Sequence, residues 1–322
     1  MVDGPLRIVF FGTPQFAVPT LQRLLASRHQ VVGVVTQPDK PRGRGQQVSH
    51  SPVKALALER GLPILQPERL KPPEVAETLR SWGPDLGVVA AYGTIIPEDL
   101  INLPRLGMLN VHGSLLPTYR GAAPVHRAVI DGEPVTGITI MRVEKTLDTG
   151  PMFAKVTRPI GRDETSDVVE RDLAELGAPL LVTVVDQLAS GTAVEEGQDV
   201  TASSYAPRLT KEEGLIDWSL PALDIHNRVR GLYPWPHAYT HLDTGRLILL
   251  KTRVEPAAAR ADASDGEAGT VVDVARDAIH VATGHEGRIA ILELQAEGRR
   301  PMATRDFLAG HPIRPGARFT SP

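Results

Sequence analysis

Arg7-Ile8-Val9-Phe10-Phe11-Gly12 is a short apolar run that stops at a glycine, the pattern of a buried strand. Pro14 follows, where it can open a helix, and Val18, Leu21, Leu24 and Leu25 then recur at helical spacing. Val31-Val32-Gly33-Val34-Val35 is a second apolar run. Strand, helix and strand in that order read as a βαβ unit and hence a parallel sheet. The first strand leads into Gly12-Thr13-Pro14 and not into Gly-x-Gly-x-x-Gly, so a nicotinamide dehydrogenase is not expected.

The pattern continues outward from this unit. Ser51 is placed to cap a helix that has Pro52 in its first turn. Residues 63–66 read as a short strand, 72–82 as a helix ended by Gly83-Pro84, and 86–91 as a buried strand. Residues 106–109 end another. Residues 122–130 suit a helix, and 135–143 a strand with 152–156 as its partner. Residues 165–189 carry the longest helical pattern, with Val169, Leu173, Leu176, Leu180, Val184 and Leu188 on one face and a kink expected at Pro179. Residues 191–207 lack periodicity and read as a linker. Beyond them, residues 247–254, 270–274, 279–283 and 288–294 are β-rich, which suggests a small barrel. Residues 257–269, rich in Ala, Asp and Gly, are expected as a mobile loop. The expected division is therefore 1–206 and 207–322.

Composition sets limits on function. A chain of 322 residues with 42% hydrophobic content can build two cores, and without cysteine it has no disulfide, thiolate metal site or cysteine nucleophile. The first residues lack the apolar stretch of a signal peptide, and no apolar run approaches the roughly 20 residues of a membrane span. A cytoplasmic protein without a membrane partner is expected. Net charge is −3, so contact with a nucleic acid would require a local basic surface. Residues 37–51 are too rich in Pro, Gly and Arg for a regular element and too long for a routine connection. Residues 40–54 hold Lys40, Arg42, Arg44 and Lys54 and no acid.

The chemistry concentrates in Asn110-Val111-His112-Gly113-Ser114-Leu115-Leu116-Pro117-Thr118-Tyr119-Arg120-Gly121. It follows a strand, at the carboxyl edge where open α/β sheets bind ligands. Asn110 and His112, two apart, point to one side of that strand. An amide can stabilise an oxyanion and an imidazole can move a proton, a pairing suited to acyl transfer. Asp148 lies in a turn-like Leu-Asp-Thr-Gly, and a carboxylate near an imidazole orients it. Spacing alone leaves open a structural histidine and an ordinary turn acid. His237 and His241, four apart, lack the context of a zinc site, and Trp218, Tyr233 and Trp235 suit a barrel core or a domain junction.

Asn110-x-His112, Ser114-Leu115-Leu116-Pro117-x-x-Arg120-Gly121 and Asp148 resemble the formyltetrahydrofolate transferase and hydrolase superfamily. Phe11-Gly12-Thr13-Pro14-x-Phe16, the stretch from Thr36 to Gly45, Ser51-Pro52-Val53-Lys54 and Ile216-Asp217-Trp218 extend the likeness along nearly the whole chain, toward the branch that formylates methionyl-tRNA. The resemblance implies a doubly wound, mostly parallel, Rossmann-like α/β domain and a smaller C-terminal OB-like β-barrel that binds tRNA. It implies 10-formyltetrahydrofolate as donor, initiator methionyl-tRNA as acceptor, no metal and no obligate protein partner. Asn110, His112 and Asp148 become the catalytic residues. Ser114, Leu115, Leu116 and Pro117 border the folate, with Val88, Val89, Ala90 and Tyr92. Lys40, Arg42 and Arg44 face the tRNA. A transferase acting on an amino sugar nucleotide shares the motif without needing the basic loop. A hydrolase is expected to carry a regulatory domain, for which there is no room before Leu6. An RNA-binding protein with a vestigial formyl site is disfavoured by the intact Asn110, His112 and Asp148.

Overall fold

The computed structural model describes residues 4–42, 47–242, 245–255, 266–285 and 287–320, with no side chains for 40–48. Arg44 and most of the 257–269 loop lie outside the described residues. The chain forms two compact units. One is made of residues 1–124, 135–159 and 170–207, the other of 125–134, 160–169 and 208–322.

In the first unit the opening run forms β1 (Arg7–Gly12), followed by α1 (Val18–Leu25) and β2 (Gln30–Val35). A short ribbon, β3 (Lys40–Arg42) with β4 (Gln47–Ser49), leads to α2 (Pro52–Glu59) and β5 (Ile64–Leu65). Then come α3 (Pro73–Trp82), β6 (Leu86–Ala90), α4 (Glu98–Ile101) and β7 (Met108–His112). The ribbon corrects the expectation that 37–51 holds no regular element: Lys40 pairs with Ser49, Pro41 with Val48 and Arg42 with Gln47. Proline is tolerated there because a two-stranded ribbon has only edges. Ser51 caps α2 as expected, its hydroxyl accepting from Lys54 N at 3.1 Å. Gly83, at φ +57°, ends α3.

After β8 (Arg120–Gly121) and α5 (Pro124–Ile130), β9 (Val135–Arg142) and β10 (Met152–Pro159) form a hairpin. The sheet runs β10-β9-β7-β6-β1-β2-β5, parallel from β7 to β5 and antiparallel at β9 and β10. From β1 the chain steps out through β2 to β5 and then returns to β6 on the other side of β1. That reversal opens a crevice at the carboxyl ends of β1 and β6.

Met108 packs in a core cluster with Phe11 of β1 and Leu79 of α3. Val111 meets α6 (Ser166–Ser190) on the opposite face, as the strand period of two requires. Asn110 and His112 share the Met108 side. The helix buries Val169, Leu173, Ala174, Ala178, Leu181, Val184 and Val185, while Leu176 is exposed. The buried face is thus turned from the one expected, and it includes Gly177, which lies close against the sheet. A Cβ there would lie 3.1 Å from Val111 and 3.2 Å from Ile138. The helix continues unbroken through Pro179. It is long and apolar enough on length and composition to cross a membrane, a correction to the sequence reading, but its apolar face packs on the sheet as a core helix does.

The second unit holds α7 (Ala222–Gly231), β12 (Ala238–Leu242), β13 (Gly245–Glu255), β14 (Val271–Val274), β15 (Ile279–Ala282) and β16 (Arg288–Ala296). β17 (Met302–Ala303), α8 (Thr304–Gly310) and β18 (Phe319–Thr320) complete it. The antiparallel order is β14-β15-β16-β13-β12-β18. Thr270 pairs with Arg318, and Val271 N donates to Ala317 O at 2.8 Å. The two ends of the sheet therefore approach each other, which curls it into an OB-like half-barrel. Trp218 stacks on Phe319 at 5.5 Å, and its indole N–H donates to Thr240 Oγ1 at 2.9 Å, so this ring belongs to the core. Trp235 is 48% exposed.

Candidate active site

β7 delivers its last residues to the carboxyl edge of the sheet. Asn110 pairs across to Val89 on β6 and Met141 on β9, which fixes its height and side. Its amide is half-buried and makes no hydrogen bond among the described residues. An unengaged donor beside an imidazole is available to a ligand.

His112 is 4% exposed. Its Nε2 lies 2.9 Å from Tyr119 O. A carbonyl only accepts, so this nitrogen carries a proton. Nδ1 is 3.7 Å from Asp148 Oδ2, an ion-pair separation and not a hydrogen bond. The carboxylate is instead held by the backbone, with Gly121 N donating to Asp148 Oδ2 at 2.8 Å. The imidazole thus meets two groups brought from along the chain: its Nε2 donates to the carbonyl of Tyr119, seven residues on, and its Nδ1 faces the Asp148 carboxylate.

The loop after β7 is built to hold this arrangement. Ser114 Oγ donates to Thr118 O at 2.6 Å. Thr139 on β9 donates to Ser114 O at 2.8 Å and accepts from Leu116 N at 3.1 Å. Lys155 on β10 donates to Leu116 O at 2.7 Å. The Leu116–Pro117 peptide is cis. Leu116 packs with Met141 and Met152. Gly121 adopts φ +124°, and a Cβ there would meet Ala206 O at 2.6 Å, so this backbone approach requires glycine.

Residues 191–207, expected as a linker, bond to the same loop. β11 (Tyr205–Ala206) pairs with β8. Tyr119 N donates to Ser204 Oγ at 2.8 Å. Gln198 accepts from the Arg120 guanidinium at 2.7 Å and donates to Asp148 O at 2.9 Å and Gly150 O at 2.8 Å. Gln198 thereby clamps the turn that carries Asp148, itself at φ +51°. Thr139, Lys155, Gln198 and the Tyr119 carbonyl had no signal in the sequence, because their roles depend on side chains meeting backbone distant in the chain.

The other expected site residues divide by exposure. Val88, Ala90, Ser114 and Leu116 are buried within the fold, so they offer a ligand their backbone more than their side chains. Val89, Leu115 and Pro117 are half-buried. Tyr92 is 2% exposed and packs edge-on against Phe11 at 5.5 Å. Burial pushes its phenol up to about 12, so it stays neutral. Lys40 and Arg42 lie on β3, apart from the Asn110–His112 pair in sequence.

This constellation can be compared with known proteins. Residues 6–185 match the model of the family described as formyl transferase, and residues 208–312 that of the formyl transferase C-terminal domain. The methionyl-tRNA formyltransferase of Trichlorobacter lovleyi is 48% identical over 307 residues, 95% of this chain and 95% of its own length. That of Citrifermentans bemidjiense is 47% identical over 97% of this chain and 95% of its own. Among solved structures, the sugar 3N-formyl transferase WlaRD, determined with dTDP and 5-N-formyl-THF, has a TM-score of 0.66 at 18% identity and covers 92% of this chain and 99% of its own, a likeness of fold. With both family models matched in order and relatives nearly half identical from end to end, the chain belongs to the formyl transferase family.

Proposed function

We propose that this protein transfers the formyl group of 10-formyltetrahydrofolate to the α-amino group of methionyl initiator tRNA, yielding N-formylmethionyl-tRNA. The observation that carries the reading is the end-to-end likeness, at 46–48% identity, to methionyl-tRNA formyltransferases, in a chain that keeps Asn110, His112 and Asp148 at one sheet edge. The sugar-nucleotide alternative rests on structures alike only in fold. Such an acceptor and donor meet in the cytoplasm.

The donor is a substrate, consumed in each turnover. The neutral amine attacks the formyl carbon, forming the new C–N bond. Asn110 donates its free amide hydrogen bond to the oxyanion that develops, where such donors are worth most. The bond from the formyl carbon to the folate nitrogen then breaks. The proton lost by the attacking amine passes by way of His112 to that departing nitrogen. Tyr119 O keeps the ring in place, and the Asp148 carboxylate at 3.7 Å stabilises the imidazolium as it forms. The loop from Ser114 to Pro117 and the ends of β6 border the pterin, mainly with backbone groups. Lys40, Arg42 and Arg44 contact the acceptor, and the second unit adds tRNA-binding surface.

Formylation is measured with charged initiator tRNA, charged elongator tRNA and an amino sugar nucleotide competing for one donor. The charged initiator tRNA should be formylated selectively. Preference for the sugar nucleotide would refute the acceptor assignment and leave the donor chemistry standing.

A further inference from the structure

The short ribbon of β8 and β11 carries two side chains that the reaction steps above leave unused. Arg120 and Tyr205 are partners across it. Tyr205 is 65% exposed, and its hydroxyl makes no hydrogen bond among the described residues. The backbone on either side of it is nevertheless fixed. Ser204 O accepts from Arg120 N at 2.9 Å, and Ala206 O accepts from Ala122 N at 2.9 Å. The Cδ2–Cε2 edge of the ring lies against Gly121, where a Cβ would come within 2.8 Å of Cε2 and 3.2 Å of Cδ2. The ring is thus held in place while most of it faces solvent, so stacking on it costs little further ordering.

Arg120 is half-buried. Its Nε and Nη2 donate to Gln198 Oε1 at 3.1 and 2.7 Å. That acceptor is neutral, and Arg120 has no ion pair among the described residues, so its charge is uncompensated there. Both side chains adjoin the reacting groups. Gly121 N donates to the Asp148 carboxylate at 2.8 Å, and that carboxylate is 3.7 Å from His112 Nδ1. One backbone group and one carboxylate therefore separate the tyrosine ring from the imidazole.

We propose that Tyr205 and Arg120 seat the terminal nucleotide of the acceptor, the ring stacking on its base and the guanidinium meeting its phosphate. The proposal rests on the formyl-transfer reading and names the part of the acceptor that this face takes. On charged tRNA the methionyl ester sits on the terminal ribose. When its amine reaches the formyl carbon, the terminal base and phosphate lie one sugar away. A base at the end of a single strand has a free π-face, which an aromatic ring can cover whatever the base. A guanidinium forks onto phosphate oxygens. Holding both ends of the nucleotide fixes the ribose between them, and with it the approach of the amine.

The test uses the full chain. It reads kcat/KM for charged initiator tRNA, the Kd for 5-formyltetrahydrofolate, and the Kd for uncharged initiator tRNA across a salt series. Loss of one stacked base should lower kcat/KM by roughly 5- to 100-fold in Tyr205→Ala. Tyr205→Leu keeps an apolar contact with Gly121 but has no π-face, and should lose as much. Tyr205→Phe and Tyr205→Trp should keep most of the activity. All four should bind folate as the wild type does. Arg120→Met should flatten the plot of log Kd against log salt by roughly 0.7–1. Gln198→Met loosens the same turn but leaves the charge, and should keep the wild-type slope. Wild-type kcat/KM in Tyr205→Ala overturns the stacking role, as does a Tyr205→Leu protein as active as Tyr205→Phe. An unchanged slope in Arg120→Met overturns the phosphate contact. If the wild-type protein formylates no charged tRNA, the functional reading fails and this proposal with it. An active wild type with an unaffected Tyr205→Ala variant overturns this proposal alone.

Discussion

Asn110 and His112 stand two residues apart on one strand, yet different structures hold them. The imidazole is fixed by Tyr119 O, while the Asn110 amide is left free. Losing each should therefore have a separate effect on the chemical step. His112→Ala should slow single turnover by roughly 10²–10⁴, and Asn110→Ala by about 10²–10³, both at saturating tRNA and folate. A wild-type rate in either variant removes the role given to that residue. A second residue-scale expectation concerns His226, 6% exposed in the second unit. Its Nε2 is 3.0 Å from Arg162 O, and its Nδ1 is 3.0 Å from Thr252 Oγ1. Burial lowers its pKa below the ordinary 6.5, with Arg230 adding to this and Arg162 O and Asp163 opposing it. The unfolded chain then takes up the proton first. The stability that follows is whole above about pH 6.5 and declines as pH falls toward the folded value. Melting temperatures between pH 5 and 8 should fall on the acid side, and His226→Gln should flatten that slope. An unchanged slope would assign the titration to another buried group, such as His29.

At the scale of elements, α6 seats its Gly177 against Val111, between the two proposed catalytic residues, and against Ile138 of β9. Gly177→Ala asks those side chains to move by a few tenths of an ångström, a cost opposed by the helix propensity of Ala, about 1 kcal/mol better than Gly. It should be nearly neutral. Gly177→Leu cannot be absorbed so easily. Overpacking of this kind typically costs about 1–3 kcal/mol, and here it would push on the strand that carries Asn110 and His112. A denaturant titration should show the loss of stability, and kcat should fall with it. Full activity in a destabilised Gly177→Leu protein would show that the strand end does not depend on this contact.

For the molecule as a whole, residues 125–134 and 160–169 belong to the compact unit that also holds 208–322. His126 Nδ1 is 2.7 Å from Gly231 O, Ser166 Oγ donates to Gly231 O at 2.9 Å, and a Cβ on Gly132 would lie 2.6 Å from the Asn227 amide. A fragment cut after residue 206 keeps these segments and loses their partners. It should melt well below the full chain and expose apolar surface, although every proposed catalytic residue precedes the cut. Calorimetry and dye binding on the 1–206 fragment check this. A fragment as stable as the intact chain would show that the two segments contribute little.

The sequence alone determined the elements whose signals are local. The βαβ opening, the Ser51 cap and the glycine that ends α3 depend on period, capping and φ, which neighbouring residues set. The Asn110–His112 pair was legible for the same reason, since strand period puts both on one face. Tertiary structure decided whatever depends on groups meeting from afar. The helical pattern of residues 165–189 was plain, but which face turns inward was set by packing on the sheet, where Gly177 lies close to two strands. The helix at Ala222–Gly231 has a mixed apolar pattern and takes its place by packing on β13. Lys54 counted as free basic charge until folding set it 2.5 Å from Asp39, fifteen residues earlier. The residues that hold the candidate site, Thr139, Lys155 and Gln198, bond mainly to backbone carbonyls and amides. Every residue carries those groups, so no pattern of side chains in the sequence marks the positions that will be met.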